Sequence, residues 1–294
     1  MNYYDEIKNE LINNEINRKV KNYSINRSDL NTYYNVGKML SEAGKHYGEG
    51  IIKEYSNRLT IDIGKGYGPS NLKRMRQFYY VIEKGVAMPH QLSWSHVLML
   101  LPLNDLNEIN YYINITIQNN YGYRELGKRI KNREYQRLDN NTKNKLAKKI
   151  GNNVIDFVKN PILIKNSYNY KNISEKLLQK LILEDITSFM KELGNGFSFI
   201  NNEFKIKVGD NYNYIDLLLY NIKFKCYVVI ELKVTKLNSN HTGQIQKYMN
   251  YIDKNVKGLD DNKTVGIIIC KQNNQYVIDY CSDDRIIARE YELV

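Results

Sequence analysis

Cysteine is scarce in this chain, and its placement excludes two kinds of small, cross-linked protein. Among 294 residues there are three cysteines, Cys226, Cys270 and Cys281, and no Cys-x-x-Cys pair. Disulfide scaffolds and Cys-ligated zinc sites need more cysteines, or closer ones. Two of the three fall in predicted buried strands, so we expect them to be reduced core residues.

Long apolar runs are also missing. No run approaches the roughly 20 residues that a helix needs to cross a bilayer. Residues 1–6 include two acidic side chains and no apolar core, which is unlike a signal peptide. We therefore expect a soluble, cytoplasmic protein with no membrane partner. Histidine is rare too, and His46, His90 and His241 show no metal-ligand spacing.

Positive charge, in contrast, is abundant. The formal net charge is +11 and the isoelectric point is about 9.2, which suggests a polyanionic partner such as nucleic acid. A composition rich in Asn, Lys, Ile and Tyr, as an AT-rich genome gives, is the alternative explanation. The distribution says more, because residues 121–149 hold ten Lys or Arg against three Asp or Glu.

The spacing of apolar residues changes along the chain and predicts two different parts. Residues 1–135 have the three-and-four spacing of helices, and we interpret them as an α-helical domain that binds DNA or a partner. Residues 136–172 are polar and basic, and we interpret them as a connection. Residues 173–294 predict the order α-β-β-β-α-β, which is an α/β domain built on a mixed sheet with helices packed on it.

Basic residues on two predicted helices are candidates for contacting nucleic acid. The helix that carries Lys73 to Gln77 could be the second helix of a helix-turn-helix, although the glycine-rich connection before it is long for that motif. A solvated basic face is the alternative for both helices. The candidate nucleic-acid-binding residues are Lys73, Arg74, Arg76, Gln77, Arg124, Lys128, Arg129, Arg133 and Lys236.

Two carboxylates and a lysine interrupt what is otherwise a buried hairpin. If the loop is residues 222–225, Asn221 pairs with Cys226 and Asp216 lies opposite Glu231. Lys233 then points to the same side as Glu231, because side chains alternate along a strand. Two carboxylates so close together repel each other and lose hydration beside apolar neighbours. A bound divalent cation would offset both costs.

The hairpin cluster therefore predicts a site for Mg²⁺, with Mn²⁺ as a substitute. Asp216 and Glu231 are the candidate ligands, because Mg²⁺ takes oxygen ligands, and the Leu232 backbone carbonyl could add another. Lys233 could orient a metal-bound water or stabilise charge on a phosphate. A simple ion pair between Glu231 and Lys233 at a strand end is the alternative.

Three further residues complete an ordered series: Glu184 on the preceding helix, and Gln244 and Tyr248 four apart on the following one. This series resembles the PD-(D/E)XK nuclease superfamily. The sequence of the chain as a whole is similar to the bacterial YhcG-like family, in which a helical N-terminal domain precedes such a nuclease domain. The stretches that carry the resemblance are Asn71-Leu72-Lys73-Arg74-Met75-Arg76-Gln77-Phe78-Tyr79, Gln91-Leu92-Ser93-Trp94-Ser95-His96, Glu192-Leu193-Gly194-Asn195-Gly196-Phe197, Tyr214-Ile215-Asp216-Leu217, Tyr227-Val228-Val229-Ile230-Glu231-Leu232-Lys233 and Gly243-Gln244.

The resemblance implies a restriction-endonuclease-like core and metal-dependent hydrolysis of phosphodiester bonds, usually in DNA. It implies that Glu184 assists the metal shell, that Gln244 contacts the substrate backbone or Lys233, and that Tyr248 supports Gln244. Two departures are Ile215, where the superfamily has proline, and Asn202-Glu203, where a more basic or amide pair is expected.

Other functions remain open at this stage. The nuclease fold could be an inactive scaffold in a DNA-binding or assembly protein, or RNA could be the substrate. A homodimer is a reasonable expectation for an enzyme that cuts both strands.

Overall fold

The computed structural model describes residues 3–20, 25–48, 50–87, 89–148 and 153–294. The chain forms two compact units, Met1–Tyr135 and Gln136–Val294. Within the described residues, no helix combines the length and the apolar character that a membrane span requires. Each unit has its own apolar core.

The first unit is helical throughout its described elements. Its helices are α1 (Tyr3–Val20), α2 (Ile25–Tyr47), α3 (Ile51–Asp62), α4 (Pro69–Glu83), α5 (Trp94–Leu100), α6 (Leu106–Asn119) and α7 (Tyr123–Lys131). Leu30, Leu40, Leu59 and Leu72 are fully buried in one cluster, which apolar residues at helical spacing build. Helix α5 begins at a local cap, where the Ser93 hydroxyl and the His96 ring lie 2.7 Å apart.

Helices α2 and α4 pack at very short range through Gly37. A Cβ atom placed on Gly37 would lie 2.2 Å from the backbone oxygen of Met75 and 2.9 Å from Cβ of Tyr79. No side chain fits such a gap, so glycine is required here by the approach of the two backbones.

The second unit contains a six-stranded mixed sheet with helices packed on it. Its elements are α8 (Asn140–Ala147), a 3-10 turn (Val154–Phe157), β1 (Ile162–Ile164), α9 (Glu175–Glu184), α10 (Ile186–Leu193), β2 (Phe197–Val208), β3 (Asn211–Asn221), β4 (Cys226–Lys236), α11 (Ser239–Asn255), β5 (Asn262–Gln272), α12 (Gln275–Asp279) and β6 (Ile286–Leu293). The strand order is β1-β6-β5-β4-β3-β2. Strands β2, β3 and β4 are antiparallel neighbours, whereas β4, β5, β6 and β1 run parallel.

This architecture confirms the predicted helical first part and the α-β-β-β-α-β order on a mixed sheet. The central strands are buried on both faces. On one face Leu217 and Ile230 pack in a cluster with Leu178 of α9. On the other face Leu218 and Val229 pack with residues of α11. The cysteines are reduced, and two of them, in β4 and β5, are buried, as predicted.

The prediction that residues 136–172 are a connection is wrong for the described part of that segment. Strand β1 pairs with β6, and Val158 and Ile162 are buried in the core of the second unit. Arg137 is ion-paired with Glu192 of α10. The polar residues mask a strand of only three apolar residues, too short to show a period. Gly151, part of the predicted connection, lies outside the described residues.

Candidate active site

The β3–β4 hairpin has the predicted register. Leu217 pairs with Ile230 and Asn221 pairs with Cys226, and the loop between the strands is residues 222–225. The ladder ends at Leu217, one pair before the expected Asp216–Glu231 pair. There the Oδ2 atom of Asp216 accepts a hydrogen bond from the backbone N–H of Leu232 at 2.7 Å. This hydrogen bond thus holds the Asp216 carboxylate against β4.

Glu231 and Lys233 lie on the same side of β4, next to Asp216. Nζ of Lys233 donates to Oε1 of Glu231 at 2.8 Å. Both residues are buried, with Glu231 only 2% exposed. Within the described structure, the second oxygen of Glu231, Oε2, is buried and has no hydrogen-bond partner. A simple ion pair does not account for that oxygen, because a buried carboxylate oxygen without a donor is costly.

Burial shifts the protonation of both carboxylates. Burial, together with the charge of Asp216, raises the pKa of Glu231 to about 7 despite the bond from Lys233. Burial also raises the pKa of Asp216, against the lowering effect of the Leu232 N–H. Burial opposes the charged form of Lys233, but its bond to Glu231 and the charges of Glu231, Glu175 and Asp216 together outweigh this effect, and the pKa of Lys233 is raised. The pocket therefore favours extra positive charge between the carboxylates.

Helix α9 contributes two residues that the sequence analysis missed. Nε2 of Gln179, which is 7% exposed, donates to the backbone oxygen of Asp216 at 2.9 Å. Oε2 of Glu175 lies 3.6 Å from Nζ of Lys233. Both residues share a helix face with the buried Leu178 and Ile182, at i+3, i+4 and i+7 from Glu175. A glutamine within that apolar stripe is the signal that sequence reasoning could have used.

The prediction for Glu184 is wrong in its geometry. Glu184 is nine residues from Glu175, so it lies on nearly the opposite side of the helix. Its carboxylate is 3.9 Å from Nζ of Lys180 and is 37% exposed. Glu184 lines an open groove of about 680 Å³ between α9 and β2, together with Lys176, Gln179, Lys180, Asn202 and Glu203.

Helix α11 supplies the other two predicted residues. Nε2 of Gln244 donates to the hydroxyl of Tyr248 at 2.9 Å, and Tyr248 is buried. Burial raises the pKa of Tyr248, and the charges of Glu231 and Asp216 add to this effect. The pKa of His241 is lowered, mainly by burial and then by the positive charge of Lys233. The first turns of α11 therefore border the carboxylate pair.

The donor set of the site fits a small hard cation. Within the described residues, no group of three His, Cys, Asp or Glu side chains is arranged to hold a metal. Mg²⁺ does not require such a cage, because it is usually held by one or two carboxylates together with water and substrate phosphates. Asp216 and the orphaned oxygen of Glu231 are such a pair. The role of the Leu232 carbonyl as a further ligand stays a prediction.

The predicted nucleic-acid-binding residues of α4 differ in exposure. Lys73 and Arg74 are exposed, and Arg76 is half-buried. Nε2 of Gln77 donates to the backbone oxygen of Leu101 at 2.6 Å, which ties α4 to the segment after α5. Lys73 and Arg74 are therefore the better-placed phosphate-contacting candidates on this helix.

The second basic group is divided in the same way. Arg124, Lys128 and Arg133 are exposed, as is Lys236 at the end of β4. The prediction for Arg129 is wrong, because this side chain is buried and its NH1 atom lies 2.7 Å from Oε2 of Glu134. The Tyr121 ring also covers its guanidinium, at 4.3 Å. Helix α7 turns Arg129 inward, where it serves the core.

Two family models match the chain, one for each unit. Residues 155–294 match the family described as the YhcG PDDEXK nuclease domain. Residues 7–137 match the family described as the DUF1016 N-terminal domain. The matched order, a helical part followed by the sheet domain, is the order that the structure shows.

Individual proteins are more distantly similar. The curated protein "Putative nuclease YhcG" of Escherichia coli (strain K12) is 21% identical over 317 residues, covering 92% of this chain and 84% of its own length. A repair endonuclease from Pyrococcus abyssi aligns with a TM-score of 0.29 and 16% identity, covering 43% of this chain and 49% of its own.

A second solved structure, the EndoMS-dsDNA2 complex, has a TM-score of 0.30 and 16% identity, covering 44% of this chain and 48% of its own. The alignments thus span about half the length of these two structures. The assignment of the second unit to the nuclease fold rests on the family matches and the strand order.

Proposed function

We propose that this chain, which belongs to the YhcG-like family of PDDEXK nucleases, is a Mg²⁺-dependent endonuclease that hydrolyses phosphodiester bonds in DNA. The observation that carries the proposal is Oε2 of Glu231, buried beside a second carboxylate and lacking a hydrogen-bond partner within the described structure. An inactive scaffold has no physical reason to keep that arrangement.

Each residue of the site has a distinct part in this proposal. Asp216 and Glu231 would hold Mg²⁺, which supplies an activated water and neutralises charge on the phosphate. Lys233, fixed by its bond to Glu231, orients the attacking water or stabilises the charge that develops on the phosphate. Gln179 holds the backbone oxygen of Asp216 in position, and the Leu232 N–H holds its carboxylate. Gln244 faces the substrate backbone or Lys233, with Tyr248 behind it.

Glu175 takes the supporting role that the resemblance implied for Glu184. Its carboxylate is close to Lys233, and its charge also raises the pKa of Glu231. Its side chain is 43% exposed, so water around a metal ion would be accessible to it. Mn²⁺ should replace Mg²⁺, since both prefer oxygen ligands.

A cleavage experiment tests the proposal. The purified chain is incubated with supercoiled plasmid, linear duplex DNA, single-stranded DNA and RNA, with Mg²⁺ or Mn²⁺ and then with EDTA. We expect metal-dependent cutting of DNA that is lost in Asp216→Ala and in Lys233→Ala. Binding of DNA without cutting under any metal would instead support the scaffold. Cutting of RNA alone would make this chain a ribonuclease with the same site.

For the first unit, we propose that it contacts nucleic acid through Lys73, Arg74, Arg124 and Lys128. These side chains are exposed and basic, and phosphate contacts make binding fall as salt rises. Replacing all four by Gln should weaken DNA binding and lower its salt dependence. Arg129 is the contrasting position, because its replacement should destabilise the unit through Glu134. Unchanged binding and salt dependence in the quadruple variant would point to a protein partner instead.

A homodimer and a cytoplasmic location complete the proposal as predictions. Two copies related by a two-fold axis would place one site on each strand of a duplex. Sedimentation in the presence and absence of DNA measures the oligomeric state, and cell fractionation measures the location.

A further inference from the structure

The β2–β3 hairpin continues past the point where β4 stops pairing with β3. The ladder between β3 and β4 covers residues 217–221, whereas β2 and β3 stay paired to Val208 and Asn211. We call the part beyond, residues 204–215, the hairpin tip. Strand β2 is also the edge of the sheet. The tip has one face packed on the domain, with Ile206 and Ile215 buried, and one face whose side chains are exposed.

The inner face of the tip is anchored to the nuclease domain. Ile206 and Ile215 are at most 1% exposed and belong to the same core cluster as residues of α11. Nζ of Lys247, on α11, donates to Oδ1 of Asn213 at 2.9 Å. The tip is therefore held in a defined position instead of extending freely.

The outer face has a different chemistry. Strand alternation turns Lys205 and Lys207 outward, and these residues pair across the ladder with Tyr214 and Tyr212 respectively. Both lysines are exposed. The tyrosine side chains are also exposed, Tyr212 by 57% and Tyr214 by 52%. Nζ of Lys205 lies 3.9 Å from the centroid of the Tyr212 ring. Two aromatic rings and two ammonium groups thus share one small surface.

We propose that the outer face of the hairpin tip binds an unpaired nucleotide strand and leads it to the cleavage site; this inference rests on the proposed nuclease function. Surfaces that bind single strands combine aromatic rings, on which bases stack, with basic groups along the backbone. The tip offers both, with Tyr212 and Tyr214 for bases and Lys205 and Lys207 for phosphates. A duplex keeps its base faces stacked on each other, so it cannot use the rings.

The tip is continuous with the site. Tyr214 precedes Asp216 by two residues and Tyr212 by four, on the same strand. At a rise of about 3.4 Å per residue, their Cα atoms lie roughly 7 and 14 Å from that of Asp216. That span matches a few nucleotides of an extended strand. The rings and Asp216 are therefore carried by one strand, within about the length of a short extended nucleotide strand.

A different explanation exists for the lysines alone. Exposed lysines on an edge strand discourage pairing with other chains, and tyrosine is common in strands. That explanation predicts aggregation when the lysines are lost and no effect of the tyrosines on nucleic-acid binding. The two explanations are therefore separated by measurements on the rings.

The experiment measures binding of labelled oligonucleotides of about 16 nucleotides to the full chain in EDTA, where no cutting occurs. The probes are single-stranded DNA, single-stranded RNA of the same sequence, and duplex DNA. The variants are Tyr212→Ala with Tyr214→Ala, Tyr212→Phe with Tyr214→Phe, and Lys205→Gln with Lys207→Gln. Matched controls are Tyr276→Ala with Tyr280→Ala, and Lys254→Gln with Lys263→Gln, which change exposed residues elsewhere in the same unit.

We expect the alanine pair to weaken single-strand binding at least about fivefold, while the phenylalanine pair keeps it, because stacking needs only the ring. The Gln pair should lower the slope of log K against log salt by roughly 0.7 for each lysine. Duplex binding should change less than twofold, and both control pairs should bind like the wild type. Greater loss with DNA than with RNA, or the reverse, identifies the strand that the tip prefers.

This inference would be overturned if the folded alanine pair bound single strands as tightly as the wild type. It would also be overturned if the alanine pair lost equal affinity for duplex and single-stranded probes. The same variants are then assayed for cutting with Mg²⁺. Metal-dependent cutting by wild type with no effect of the tip variants rejects the tip alone. Absence of cutting and binding in the wild type rejects the proposed nuclease function itself. Thermal unfolding of each variant confirms that a loss of binding is not a loss of fold.

Discussion

The carboxylate of Asp216 accepts the backbone N–H of Leu232 at 2.7 Å, at the point where the β3–β4 ladder ends. The Asp216 side chain thus links β3 to β4 just beyond the last backbone pair of their ladder. The bond fixes Asp216 beside Glu231 at the place where β3 and β4 stop pairing. Structural and functional demands on Asp216 are therefore linked, and Asp216→Asn is a gentler test than Asp216→Ala, because its Oδ1 can keep the bond.

The pH dependence of stability should report the burial of Glu231. Its pKa is about 7 in the folded protein, against 4.5 as the ordinary value. The folded state therefore binds more protons than the unfolded chain between these pH values, so stability falls as pH rises through this window and levels off above it. In EDTA, Glu231 should lower the free energy of unfolding of the wild type by roughly 3 kcal/mol between pH 4.5 and pH 8. Glu231→Gln should not show this decrease.

Urea unfolding of wild type and Glu231→Gln across this pH range measures that difference. Adding Mg²⁺ at pH 8 should stabilise the wild type and leave the variant nearly unchanged, since the cation binds the folded site. Parallel pH profiles for the two proteins in EDTA would contradict the account of Glu231.

Glu175 and Glu184 form a matched pair of substitutions on one helix. Glu175→Gln removes the carboxylate 3.6 Å from Lys233, and we expect kcat/KM for cleavage to fall about tenfold to a hundredfold through misplacement of Lys233. Glu184→Gln changes a half-exposed side chain paired with Lys180, and should stay within about twofold of wild type. The opposite ranking of the two variants would restore Glu184 to the site.

Glycine packing in the first unit gives a prediction independent of catalysis. Gly37→Ala forces a Cβ against the Met75 backbone, and should destabilise the unit by about 1–3 kcal/mol or more. Gly127→Ala is the control, because its Cβ would lie 3.6 Å from Sδ of Met99 and alanine favours helix. It should leave stability unchanged or raise it slightly.

Trp94 is the sole tryptophan and lies in the first unit, so its fluorescence follows the unfolding of that unit selectively. An unfolding midpoint of Gly37→Ala equal to that of wild type would disprove the close approach of α2 and α4.

The core of the site could be predicted from the sequence because strands leave few choices. Alternation and a four-residue loop determine which residues of β3 and β4 are neighbours, and charged residues on buried strands are conspicuous. The register from Leu217 to Cys226 follows directly. The end of the ladder does not, since the twist that separates β3 from β4 depends on packing across the whole sheet.

The helical contributions were harder to predict, because a helix offers several faces and the apolar stripe does not say which end meets the site. Glu184 fits the order of the family motif but points away, whereas Glu175 and Gln179 lie on the buried face. The same ambiguity placed Arg129 on a nucleic-acid surface, although the structure buries it against Glu134. Strand β1 was not predicted for another reason. It is three residues long, and its partner β6 lies far along the chain.

We propose that Asp216, Glu231 and Lys233 form a metal-dependent site that cuts DNA. The most direct measurement is the single-turnover rate of DNA cleavage at saturating Mg²⁺, compared between wild type, Asp216→Asn and the control Glu184→Gln. We predict a rate at least about a hundredfold lower for Asp216→Asn, with wild-type folding stability, and a rate near wild type for Glu184→Gln. A folded Asp216→Asn that cuts DNA as fast as the wild type, or equal cutting in EDTA, would contradict it.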